Sequence, residues 1–229
     1  MKLKLNKILF LLILFLFTCA YSLNIQKAHV EHYTVYADTH YYSPYESKIE
    51  LQYNQNVYYI GDIFDLQNCK NKDVNLVIQE INDLRKRVGN RYVRGNHELN
   101  AFGDADKLED YFTIINGVLF THGHKYICYD DAKVKNWEQK NPGKNSILRV
   151  LRKIKNVFEK EKDRLDGRYI DNAVDLATKN NCHTIVFGHT HLKKMYDKII
   201  LNSYGQKIRV INVPRGISEI YIEIKKENE

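Results

Sequence analysis

Thr184-Ile185-Val186-Phe187-Gly188-His189-Thr190-His191 is an apolar tetrad that runs straight into two histidines. The tetrad is rich in β-branched and aromatic residues, ends at a glycine, and reads as a buried strand. Two histidines at i and i+2 on an extended backbone point to the same side. Set just beyond a strand end, they can enter one pocket together, which is what a metal ion, or two ions side by side, requires. Taken alone, the fragment is equally compatible with a polar loop carrying two unrelated histidines, because short motifs match by chance. The rest of the chain decides between them.

The same grammar recurs upstream. Residues 30–37 read as a strand and end in Asp38-Thr39-His40, again an i, i+2 pair. Residues 57–60 read as a strand and run into Gly61-Asp62-Ile63-Phe64-Asp65. A short strand over 91–94 leads into Gly95-Asn96-His97-Glu98. Strands over 112–115 and 118–121 flank Asn116-Gly117, a strong hairpin signal. The second of them enters His122-Gly123-His124. Five loops therefore follow apolar strands and carry Asp, His or Asn, and strand-end loops are where α/β proteins place their sites.

Between these strands the spacing predicts helices. Asp73 reads as an N-cap, Val74, Val77, Ile78, Ile81, Leu84 and Val88 follow at helical intervals, and Gly89 is a stop signal. An insert over about 125–180 breaks the strand rhythm. It carries the apolar stripe Ile147, Leu148, Leu151, Ile154, Val157 and Phe158, with Arg149, Arg152, Lys153 and Lys155 around it. That helix either packs on the core with a wet basic face, or lies on a membrane, or closes over an anionic substrate. A second helix is expected over 168–179. The tail, 198–201, 207–213 and 219–224, reads as an antiparallel meander. The aromatic-rich connection around Ser43-Pro44 is a loop.

The chain has 229 residues, enough for one domain with a sizeable core. Three prolines and eleven glycines exclude a fibrous or low-complexity protein. A formal net charge of +7 suits a phosphate-bearing substrate or an anionic membrane surface, although its even spread along the chain is also that of a solvated basic surface. Cys19, Cys69, Cys128 and Cys182 have neither disulfide-framework nor zinc-finger spacing.

The N-terminus is a separate object. Lys2, Lys4 and Lys7 precede an unbroken apolar run over 8–17, followed by the small residues Ala20 and Ser22. This has the form of a signal peptide over 1–22, leaving 23–229 as the domain. Two variants keep the same topology: a lipoprotein-like site at Cys19, and an uncleaved anchor running to Ile25. Each places the domain outside the cytoplasm, in the periplasm, at the cell surface or anchored facing outward. The alternative is a domain on the cytoplasmic face of the membrane.

Collected, the candidate ligands are Asp38, His40, Asp62, Asn96, His122, His189 and His191. They combine imidazoles with oxygen donors and include no thiolate, which suits zinc, manganese or iron. Seven ligands exceed one tetrahedral ion but suit two ions sharing a carboxylate.

The ordered motifs Asp38-Thr39-His40, Gly61 to Asp65, Gly95 to Glu98, His122-Gly123 and Gly188 to His191 resemble the signature of the calcineurin-like metallophosphoesterases. The resemblance covers roughly 30–215. It implies a four-layer α/β/β/α sandwich of two mixed sheets flanked by helices, with a helical insert between the fourth and fifth motifs. It implies two divalent ions, one held by Asp38, His40 and His191, the other by Asn96, His122 and His189, with Asp62 between them. It implies a hydroxide bridging the ions as the nucleophile at phosphorus, His97 as general acid, and Asp65 orienting His97. Two adjacent ions clamp both sides of an in-line phosphoryl transfer.

The substrate is less defined. Leu66 stands where the family's serine/threonine protein phosphatases carry an arginine, which argues against that branch. The motif around Asp62 and the helical insert look like the UDP-2,3-diacylglucosamine pyrophosphatase branch. Asp38-Thr39-His40 and His122-Gly123-His124 resemble small bacterial phosphodiesterases. The expectation is a phosphoester hydrolase acting on a small phosphorylated substrate, with a membrane surface or a lipid-linked phosphate as a further partner and nucleic acid less favoured. An exported nuclease and a non-catalytic binding module on the same fold are the alternatives.

Overall fold

The computed structural model describes residues 29–41, 50–66, 74–98, 111–128 and 164–224. The elements in chain order are β1 (His29–Ala37), β2 (Val57–Ile60), α1 (Val74–Val88), a 3-10 turn (Gly89–Arg91), β3 (Tyr92–Val93), β4 (Phe112–Ile115), β5 (Val118–Thr121), α2 (Gly167–Lys179), β6 (Thr184–Phe187), β7 (Tyr196–Leu201), β8 (Lys207–Asn212) and β9 (Gly216–Ile224). They form an α/β fold of two mixed sheets, ordered β3-β2-β1-β9 and β4-β5-β6-β8-β7. By internal contacts the chain divides into residues 32–220 and a smaller unit made of 1–31 with 221–229. All residues of the candidate site belong to the larger unit.

Each sheet is parallel where it matters for the site. In the first, β1 pairs with β2 and β2 with β3, all parallel. In the second, β5 pairs with β6 and β6 with β8, also parallel. Parallel strands buried on both faces read as continuous apolar runs, which is why Val57–Ile60, Val118–Thr121 and Thr184–Phe187 show no alternation.

The register of the first sheet sets tyrosines side by side. Tyr36 faces Tyr59, and Tyr59 faces Tyr92. The neighbouring rings stack at 4.8 Å and 6.3 Å. Over this face lies α1, whose buried residues Val77, Ile81, Leu84 and Val88 join the same cluster. Their helical spacing makes the stripe, and Arg85, Lys86 and Arg87 in the last turn complement the helix dipole. Truncating Ile81 to Ala in this cluster costs about 2–5 kcal/mol. The opposite face of β1 and β2 presents Tyr33 and Tyr58, which meet Phe120 of the second sheet. Tyr58 and Phe120 stack at 4.1 Å, and Tyr33 meets Phe120 edge-on at 5.5 Å. Aromatic pairs of this kind add about 0.5–1.5 kcal/mol beyond area burial.

The second sheet is covered by α2. Asp166 caps it by accepting a hydrogen bond from the Arg168 amide at 2.9 Å. Ala173, Val174 and Ala177 pack with Leu119, Ile185, Phe187 and Val210.

Two expectations need correction. The tail is not a simple meander: β7 and β8 form an antiparallel pair, but β8 lies parallel to β6, and β9 belongs to the other sheet. Burial explains the split, since β8 ends in buried Val210, Ile211 and Asn212 whereas β9 alternates. The strand expected over 91–94 is two residues, Tyr92–Val93, because Arg91 closes the 3-10 turn after Gly89. The Asn116-Gly117 hairpin forms as expected, with both residues at positive φ. The N-terminal segment 1–28, the Asp73 cap, the Ser43-Pro44 loop and the stripe over 147–158 lie outside the described residues. Among the described residues no helix is long and apolar enough to cross a membrane. Cys128 and Cys182 are buried and form no disulfide among the described residues.

Candidate metal centre

The parallel strands deliver their C-terminal loops to one place. Asp38 and His40 follow β1, Asp62 and Asp65 follow β2, Asn96 and His97 follow β3, His122 follows β5, and His189 and His191 follow β6. Backbone bonds lock neighbouring loops: the Asp38 amide donates to Gly61 O, and the His40 amide to Asp62 O.

These loops are not extended. Asp38, His40, Asp62, His189 and His191 all have φ between 49° and 69°. Non-glycine residues in this region cost about 1–3 kcal/mol each and cluster at functional sites. The convergence of His189 and His191 therefore has a different cause from the extended i, i+2 geometry the sequence suggests: each sits in a left-handed turn. Two glycines permit the close approach. A Cβ on Gly95 would lie 2.1 Å from Asp62 Oδ1, and one on Gly188 would lie 2.7 Å from Asp38 Oδ2.

The ligand atoms gather in overlapping groups. Asp38, Asp62, His122 and His189 offer atoms all within 4.8 Å of one another; so do Asp38, His40 and His191, and likewise His40, Asp62 and His97. At the centre, His122 Nε2 lies 3.1 Å from Asn96 Oδ1, 3.1 Å from His189 Nδ1 and 3.2 Å from Asp62 Oδ2. His122 Nδ1 donates to Ile60 O at 2.9 Å, which fixes the ring and leaves Nε2 facing the cluster. On the other side, His191 Nε2 lies 3.1 Å from Asp38 Oδ1. The remaining carboxylate oxygens are held by backbone amides: His189 N donates to Asp38 Oδ2 and His97 N to Asp62 Oδ1, both at 2.7 Å.

Burial and charge work against each other here. Burial alone would raise the Asp38 carboxyl, but His122 and His191 outweigh it and hold it below its usual value. Asp62 is held well below, with His122 and then His97 overcoming burial. His122 is raised to about 9 because Asp62 and Asp38 outweigh its burial. Burial pushes His40 down to about 4.

His40 also tests whether metal ions fit. It is buried, and neither ring nitrogen has a hydrogen-bond partner; its nearest carboxylate, Asp65 Oδ2, is 3.8 Å from Nδ1. Buried polar atoms are nearly always paired in native structures. An imidazole kept neutral and unpaired beside two carboxylates, in a donor set of nitrogen and oxygen, fits a divalent cation.

Residues 32–193 match the calcineurin-like phosphoesterase family. The chain belongs to that family. All five motifs fall inside the matched span, and a metal-dependent phosphoesterase activity follows from the family together with the Asp and His cluster. No curated protein matches the chain closely enough to count as a relative.

In this calcineurin-like domain His97 stands beside the cluster. Its Nδ1 lies 2.9 Å from Asp65 Oδ1, its Nε2 3.9 Å from Asp62 Oδ2, and its ring meets that of His40 edge-on at 4.5 Å. Every candidate residue named from the sequence is thus in or against the cluster.

Three further residues hold the site and were not singled out from the sequence. Asn212, at the end of β8, donates to the Phe187 and Gly188 carbonyls at 3.0 Å each and accepts from Thr190 Oγ1 at 2.6 Å, clamping the histidine loop. Its position after Val210-Ile211 follows the apolar-strand-then-polar grammar of the five motifs and could have been found by it. Arg215 Nε donates to Asp38 O at 3.0 Å. Glu98 accepts from Phe64 N at 2.9 Å, Tyr92 Oη at 2.7 Å and Gly95 N at 3.2 Å, joining the second and third loops. Burial first, then Asp62, pushes it up to about 7.

Proposed function

We propose that this chain hydrolyses a small phosphoester with two divalent ions, manganese, zinc or iron. Asp38, His40 and His191 hold one ion, Asn96, His122 and His189 hold the other, and Asp62 is shared. The observation that carries this reading is the overlap of the ligand groups: Asp62 appears with His122 and His189 in one and with His40 in another, and Asp38 ties the first group to His40 and His191. When bound, the ions supply an activated water and charge compensation at phosphorus.

The chain's own residues supply positioning and the proton. Asp65 accepts from His97 Nδ1 and so presents Nε2 to the site. From there His97 gives a proton to the departing oxygen, a step that contributes about 10²–10⁴-fold. Asp62 anchors the His97 amide, so the group between the ions and the acid are fixed on one another. Asn212 and Glu98 hold the loops against the fluctuations that looser turns would allow.

The lysine-flanked apolar run over 8–17 supports export of the domain. The formal charge of +7 supports an anionic substrate, soluble or presented at a membrane surface. The test is turnover of phosphomonoesters, diesters and pyrophosphates by the full chain with added manganese, before and after chelation. Metal-dependent hydrolysis of one class identifies the substrate type, and metal-independent turnover rejects the reading.

A further inference from the structure

His189 belongs to two environments at once. One is the ligand cluster; the other is a cavity of about 100 Å³ lined by His189 and Thr190 of the same loop. A space of that size is near that of cavities that take up a single benzene ring. Buried Cys128 and Leu192, with half-buried Leu165, make its apolar lining. Tyr169, on the first turn of α2, supplies an aromatic wall, and exposed Arg164 stands at the rim. Asp166 also lines it, but its carboxylate is engaged by Arg168, Nη2 to Oδ2 at 3.0 Å, and by the Arg168 amide.

The walls are tied together rather than merely adjacent. Asn172 of α2 donates to Ile127 O at 2.8 Å, and the Cys128 amide donates to Gly123 O at 2.9 Å, so the wall carrying Cys128 is pinned both to the helix and to the His122 loop. Asn212 fixes the opposite wall through Thr190. A ligand entering this cavity meets a prebuilt surface and orders little on binding.

His189 is common to cluster and cavity, so the cavity adjoins the cluster. Cys128, Leu165, Leu192 and the Tyr169 ring offer a ligand apolar contact beside the polar side chains of Arg164, Asp166, His189 and Thr190, which suits a compact organic group. We infer that the cavity beside His189 binds the organic substituent of the phosphoester and selects a ring-sized apolar group over a bare or methyl-substituted phosphate. This rests on the proposed phosphoesterase reading, which places the phosphoryl group at the cluster.

The test is calorimetric and needs no turnover. Inorganic phosphate, methylphosphonate and phenylphosphonate are titrated into the manganese-loaded full chain, wild type, Leu165→Trp and Tyr169→Ala. The expected result is phenylphosphonate binding about tenfold tighter than methylphosphonate in the wild type, about 1.4 kcal/mol. Leu165→Trp, which fills the cavity, and Tyr169→Ala, which removes its aromatic wall, each erase that preference while phosphate binding stays within about twofold of wild type. Equal binding of both phosphonates by the wild type overturns the cavity's role and leaves the phosphoesterase reading standing. So does a phenyl preference that survives both substitutions. Failure of all three anions to bind overturns both.

Discussion

The two halves of the ligand cluster are built differently. Around His122 the site is sealed: that side chain is fully buried, Nδ1 is tied to a strand carbonyl, and Nε2 faces three other donors within 3.2 Å. Around His191 it is open, with that side chain 47% exposed and held chiefly by Asp38. His40, on the same side, is buried with both ring nitrogens unpaired. A buried, cross-braced half is preorganised for an ion, whereas an exposed half exchanges its ion with solvent more readily. The difference teaches that, in the proposed two-ion reading, the ions need not be held equally.

The largest expected effect removes what the halves share. Asp62→Ala abolishes both metal binding and turnover, measured by elemental analysis of the reconstituted protein and by phosphate release. Full activity in this variant breaks the shared-carboxylate picture. Next is the group that stands outside both halves. His97→Ala keeps the ions and loses about 10²–10⁴-fold in turnover of an alkyl phosphoester, with a much smaller loss for nitrophenyl phosphate, whose leaving group needs no proton. Equal losses on the two substrates remove His97 as the acid.

Protons sharpen the contrast further. His122, at about 9 in the metal-free protein, carries a proton at neutral pH that an ion must displace. Affinity at the sealed half therefore rises about tenfold per pH unit up to about 9 and then levels, as one proton is released per ion. The stability that the charged His122 gives the metal-free fold has the matching sign. Its folded value lies above the unfolded one, so that stability is complete below about 6.5 and is lost as pH rises through about 9. His40 has the opposite sign: held down to about 4, it costs stability as pH falls from about 6.5 to about 4, where the unfolded chain takes a proton that the folded chain refuses. Calorimetry in buffers of different ionisation enthalpy reads the proton release, and pH-dependent urea melts read the stability. Smallest is the brace behind the open half. Asn212→Ala removes one of two donors from each of the Phe187 and Gly188 carbonyls, which keep the Val213 and Thr190 amides, and also removes the Thr190 Oγ1 bond. The loss is about 1–3 kcal/mol, seen in the same melts, with metal content retained at saturating manganese.

Much of this was readable from residue order, for a physical reason. Parallel strands buried on both faces are continuous apolar runs, and a polar residue straight after such a run marks a strand end. That rule places Asp38, Asp62, Asn96, His122 and His189 at strand-end loops. It did not give the backbone its shape, because positive φ at Asp38, His40, Asp62, His189 and His191 is imposed by tertiary contacts that override local preference. Nor did it find β8 beside β6, since a strand's partners depend on long-range register. Glu98 was visible only as part of a motif. Its work of joining Phe64 N to Gly95 N is a contact between segments 34 and 3 residues away, which spacing alone does not encode.

The most direct measurement is metal stoichiometry followed through timed chelation. The full chain is reconstituted with manganese, ion content is measured by elemental mass spectrometry, and aliquots are taken during exposure to a chelator. About two ions per chain are expected, leaving in two phases, with the fast phase lost in His191→Ala, the slow phase lost in His122→Ala and both absent in Asp62→Ala. A wild-type chain that binds no manganese, or that hydrolyses phosphoesters unchanged after complete chelation, contradicts the two-ion site.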